Sequence, residues 1–120
     1  MNVTVEAMHQ HVTALCAEHD ITYSWCLRWS EPWGAIDIEE VCIPPIKSSV
    51  SYATAMHEIG HIRGRYQRSR HEMVRERWAW RWAERNALMW TPVMDRHARE
   101  CLQCHVTGIA AKKTGAKGRP

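Results

Sequence analysis

The sequence predicts an α+β domain: one N-terminal helix, a small sheet of two or three strands, then three helices. Three observations carry this. Apolar residues recur at helical spacing over 4–19, they alternate over 21–29, and nearly everything after Ser48 again has helical periodicity. At 120 residues the chain is one domain's worth, large enough to bury a core without cross-links.

In the first helix Val5, Met8, Val12, Leu15, Cys16 and His19 share a face, and Asp20 breaks it. Tyr23, Trp25, Leu27 and Trp29 then alternate with Thr22, Ser24, Cys26 and Arg28, which reads as a strand over 21–29. Glu31-Pro32-Trp33-Gly34 signals a turn, and Ala35–Ile38 a second strand that could form a hairpin with the first. Pro44-Pro45 bars a central strand over 39–46 but permits an extended edge. Ser48-Ser49-Val50-Ser51 starts a helix that runs to about Arg63, with Gly64 as its stop. A basic connector precedes a long helix over 71–90, and Thr91-Pro92 ends it and opens a last helix to about Val106. Residues 1–107 thus form the domain, and 108–120 are a basic, Gly-rich tail expected to be disordered.

Charge and composition exclude several classes. The formal charge is +3, but Lys112, Lys113, Lys117 and Arg119 crowd into the tail and leave the body near neutral, unlike a dedicated nucleic-acid-binding domain. No apolar run reaches the length of a membrane span. Five Cys is an odd number, and Met1–Glu6 has neither the basic nor the apolar region of a signal peptide. The expected setting is a reducing cytoplasm.

The chemistry concentrates in His57-Glu58-Ile59-Gly60-His61, an HExxH motif within the first helix after Ser48. Residues i and i+4 lie on one helical face, so both imidazoles can reach one cation, while Glu58 stands close enough to hold a water. Zn²⁺ suits such ligands, and a carboxylate beside it can act as general base in attack on a carbonyl. A third ligand is needed. Glu76 shares a face of the next helix with Ala79, Ala83 and Ala87, and small residues permit the close approach that a ligand bridging two helices requires. Glu72, one turn earlier on that face, is the alternative. Gly60 costs a helix about 1 kcal/mol relative to Ala, which points to a neighbouring element crossing close by.

His57–His61 followed by Glu76-Arg77-Trp78-Ala79-Trp80-Arg81-Trp82-Ala83 resembles the ImmA/IrrE-type zinc metallopeptidases and the wider gluzincin group, which carry HExxH and then ExxAxxxA. The resemblance covers about residues 35–90. It implies a minimal zincin-like fold, one Zn²⁺ on His57, His61 and Glu76, Glu58 as general base, and a peptide or protein substrate, for instance a regulatory protein. It also suggests a small phage-encoded member. The His61–Glu76 gap is short, and the element that often follows in the family is present only loosely as Leu88–Pro92. A substrate-binding edge strand beside the metal helix is implied as well, at Val41-Cys42-Ile43 or Ile36-Asp37-Ile38. A donor for the oxyanion could be Tyr52, Tyr66 or His71.

Other signals compete. Cys101-Leu102-Gln103-Cys104-His105 matches the c-type haem motif, but that chemistry belongs outside the cytoplasm. With His97 these residues form a helical stripe that could bind a second metal only with partners from elsewhere, so a buried stripe is the preferred reading. Trp78, Trp82 and Met89 lie opposite Glu76, which favours a central long helix between the metal helix and the last one. Two alternatives to an enzyme stand: an inactive zinc-stabilised protein-binding module with a Trp-rich surface, or a DNA-associated protein using Arg63, Arg65, Arg68, Arg70 and the tail. The sequence leaves the oligomeric state open.

Overall fold

The computed structural model describes residues 2–28 and 30–114, the last six as helical backbone only. Trp29 and 115–120, the end of the expected tail, lie outside the described residues. The element order is α1 (Val5–Glu18), β1 (Thr22–Trp25), β2 (Trp33–Ala35), β3 (Glu40–Ile43), α2 (Ser49–Arg63), α3 (Glu72–Asn86) and α4 (Pro92–Thr114). Among the described residues, four helices and a three-stranded mixed sheet thus make an α+β arrangement, with α1 and α2 packed against the sheet. No helix among the described residues is long and apolar enough to cross a membrane.

Local chemistry sets the helix ends. Thr4 caps α1 by accepting from the Ala7 amide. Asp20, at φ 57°, closes it, with the Ile21 and Asp20 amides returning to the carbonyls of Cys16 and Ala17. Ser48 and Ser51 form a reciprocal capping box at the start of α2, and Gly64 ends it. Thr91 caps α4 through the Met94 amide, with Pro92 in the first turn as expected.

The sheet differs from the sequence expectation. Its order is β1-β3-β2: β1 runs parallel to β3, and β2 runs antiparallel to it. The first two strands therefore form no hairpin. β3 is central, because it ends at Ile43, just before Pro44, and needs no amide from either proline. β1 stops at Trp25, and residues 36–39 form a turn in which Glu39 takes φ 49°.

α2 is the central helix, with nine buried residues that include Tyr52, Met56 and Ile59 at zero exposure. It touches α1, α3, α4, β2 and β3. This corrects the expectation that the Trp-rich helix is central. Trp80 is the tryptophan that α4 covers, through His97, with Trp90 of the preceding connector also against it. Trp78 is flanked instead by Tyr66, Arg65 and Arg81, and Trp82 by His19 at the end of α1. α3 ends at Asn86 rather than near Trp90, because the Leu88 amide donates to the Tyr52 hydroxyl (2.9 Å) instead of continuing the helix. α4 continues past Val106 to Thr114, into the stretch read as tail.

Two glycines let elements close on α2. A Cβ at Gly60 would stand 2.4 Å from the Ala79 carbonyl oxygen of α3, and one at Gly34 would stand 2.4 Å from the Glu58 carbonyl oxygen. The close crossing expected from Gly60 is therefore present. Ala79 and Ala83 are fully buried along the same seam.

Candidate metal centre

α2 presents His57 and His61 one turn apart, and α3 delivers Glu76 to them. The Glu76 oxygens lie 3.2 Å from His57 Nε2 and 3.0 Å from His61 Nε2, and the two Nε2 atoms are 3.1 Å apart. All three ligand atoms fall within 4.8 Å of one another, a group that could hold a metal ion.

The surroundings fit a cation. His61 Nδ1 pairs with Gln67 Oε1 at 2.9 Å, which puts the proton on Nδ1 and turns the Nε2 lone pair to the cluster. Gln67 is itself buried and donates to the carbonyls of Arg65 and Arg75. His57 stacks on Trp80, with centroids 4.1 Å apart. Two buried atoms here lack a hydrogen-bond partner, His57 Nδ1 and Glu76 Oε1. Glu76 Oε1 stands 3.2 Å from His57 Nε2 and from His105 Nε2 without hydrogen-bonding alignment to either, and a cation held between the imidazoles and the carboxylate would satisfy it.

Burial and charge set the protonation. Burial pushes His57 down to about 4 and so favours the neutral, ligating imidazole. For His61 burial acts downward too, but the hydrogen bond and charge of Glu76 outweigh it and raise the pKa. Burial would raise Glu76, yet its bonds to the two histidines hold it well below the carboxylate range. Glu58 makes no ion pair or hydrogen bond with another described side chain, and burial pushes it up to about 7.

The centre opens into a cleft of about 390 Å³ walled by Trp33 and Gly34 of β2, Glu58, Arg75 and His105. β2 is an edge strand, so the strand edge beside the metal helix is Trp33–Ala35. It is neither Val41-Cys42-Ile43, which lies mid-sheet, nor Ile36-Asp37-Ile38, which lies in the turn.

The remaining sequence candidates fall elsewhere. Glu72 is no ligand in this geometry. Its Oε2 meets His105 Nδ1 at 2.6 Å, and His105 Nε2 lies 3.2 Å from Glu76 Oε1. Tyr52 is fully buried between His11 and Leu88, Tyr66 is exposed against Trp78, and His71 stands at the start of α3; none of them lines the cleft. Cys101 and His97 are 3.7 Å apart, but His97 also meets Thr54, Cys104 is exposed and His105 turns to the glutamates. No second metal group forms among the described residues. His105 and Gln67 are the site residues that sequence reasoning missed. The eight-residue spacing from His97 to His105 put His105 on a stripe facing the body, but no local signal aimed it at Glu76.

No family model matches the chain, and no curated protein or solved structure matches it.

Proposed function

We propose that the chain is a zinc-dependent metallopeptidase that hydrolyses a peptide bond in a protein substrate. The observation that carries this reading is the convergence of His57, His61 and Glu76 at the floor of an open cleft, with a buried Glu58 beside them. A His₂Glu set suits Zn²⁺ best among common ions. His57, His61 and Glu76 would hold the ion, which would supply Lewis acidity and make a water acidic enough to be activated near neutral pH.

The chain's own groups do the rest. Glu58 takes a proton from the attacking water and passes it to the leaving amine, a role that a carboxylate poised near neutrality fits. Trp33 to Ala35 offer an open strand edge along which an extended peptide can hydrogen-bond. His105 lines the same cleft with Nδ1 on Glu72 and Nε2 toward Glu76, so its part is to orient the Glu76 ligand rather than to donate to the oxyanion. A cytoplasmic regulatory protein remains the proposed substrate class, on the family resemblance alone.

The test combines metal analysis with a peptide-library digest. Wild type should bind about one zinc per chain and cut members of the library, and a chelator should abolish cutting. Glu58→Gln should keep the zinc and lose the cleavage. A zinc-loaded wild type that cuts nothing, and that matches Glu58→Gln in every assay, would make the chain a metal-stabilised binding module instead.

A further inference from the structure

Cys26 and Cys42 lie outside the metal ligands, and their sulfurs are 3.3 Å apart. Cys26 follows β1 and donates its amide to the Ile43 carbonyl at 2.7 Å. Cys42 sits in β3, paired on its other side with Trp33 of β2. The backbone on both sides is therefore fixed by sheet hydrogen bonds, and the thiols meet across it. A disulfide needs sulfurs about 2.0 Å apart, so a small rotation of each side chain closes the gap. No other two of the five cysteines touch through sulfur among the described contacts.

We infer that Cys26 and Cys42 form a modification site, a thiol pair that a low-molecular-weight disulfide such as glutathione disulfide converts to an intramolecular disulfide. Cys26 is half-buried and Cys42 nearly covered, at 8% exposure, so attack begins at Cys26. Its thiolate displaces one glutathione thiolate as the Cys26–glutathione bond forms. The Cys42 thiolate then attacks the Cys26 sulfur and releases the second glutathione. Two protein thiols are oxidised, one glutathione disulfide is reduced, and the two thiol protons end on the two glutathiones. Burial pushes Cys26 up to about 12, so the exchange is slow near neutral pH and faster in mild alkali.

The bond would close the chain between Cys26 and Cys42 into a ring that contains all of β2, including the Trp33 and Gly34 wall of the cleft. It would tie that wall to the central strand without touching a metal ligand.

The experiment incubates the full chain with glutathione disulfide in mild alkali, then maps thiols by mass spectrometry of a non-reduced digest. The expected product is lighter by two hydrogens and joins the Cys26 and Cys42 peptides. Its melting temperature should rise by about 5–10 °C and return on reduction. Cys42→Ala should instead trap glutathione on Cys26, and Cys26→Ala should leave Cys42 unmodified. A wild-type map in which Cys26 and Cys42 stay free while Cys104 takes the glutathione would overturn the inference. So would a bridge between Cys101 and Cys104 in their place. The wild-type map decides even where a variant fails to fold.

Discussion

A methyl group added to Gly60 would press on the backbone carbonyl of Ala79, 2.4 Å away. Gly→Ala in an exposed helix stabilises by about 1 kcal/mol. Here the sign reverses, because the obstacle is backbone and cannot rotate aside. Gly60→Ala should lower stability by about 2 kcal/mol in chemical denaturation and loosen the seam that brings Glu76 to the histidines.

Gln67 would act on a metal bound at the cluster through His61. Gln67→Ala removes the acceptor at Nδ1 and frees the ring to turn or to change tautomer. Zinc affinity, measured by competition with a chromophoric chelator, should fall about 10–100-fold. An unchanged affinity would show that the connector's hydrogen bond does not orient the ligand.

Glu58 gives the metal-free chain a defined pH dependence. Its pKa is about 7 when folded, against an ordinary 4.5. The folded state therefore holds this proton more tightly, and the contribution of Glu58 to stability falls as pH rises from about 4.5 to about 7, by about 3 kcal/mol, against an opposite contribution from His57, whose lowered pKa adds stability between about 4 and 6.5. Glu58→Gln should remove that loss. The metal-free variant should be the more stable protein at pH 8 and no more stable than wild type near pH 4, by denaturant melts at each pH.

Tyr52 and His105 separate structure from chemistry. Tyr52→Phe leaves His11 and the Leu88 amide without their partner and should cost about 1–3 kcal/mol of stability. It should leave turnover per folded molecule unchanged. His105→Ala should keep the fold yet weaken zinc binding about 10-fold, because Glu76 loses a partner that orients it. A zinc affinity equal to that of wild type would argue against the orienting role of His105.

The sequence exposed those parts of the site that local rules govern. Ser48 and Gly64 bounded α2, the i, i+4 spacing paired His57 with His61, and the alanine stripe turned the face of Glu76, with Glu72 as the alternative, toward them. What stayed hidden depends on contacts distant in the chain. β1 pairs with β3 rather than β2 because the chain returns in parallel beside it, a choice that alternation alone does not encode. α3 stops early because a hydroxyl 36 residues upstream takes the Leu88 amide. His105 looked like part of a cysteine motif until α4 folded back over Glu72 and Glu76.

The open side of β2 also bears on how the molecule behaves in a crowd. An unpaired strand edge is a template for any extended chain, another copy of itself included, and proteins that leave one bare tend to aggregate. Here the edge is three residues long, and the preceding Pro32 has no amide to donate. Gly34 is wedged against Glu58 and cannot be replaced by a stickier side chain. With so few rungs, self-association along the edge gains little, and the strand can stay exposed beside the cleft without a lid to guard it.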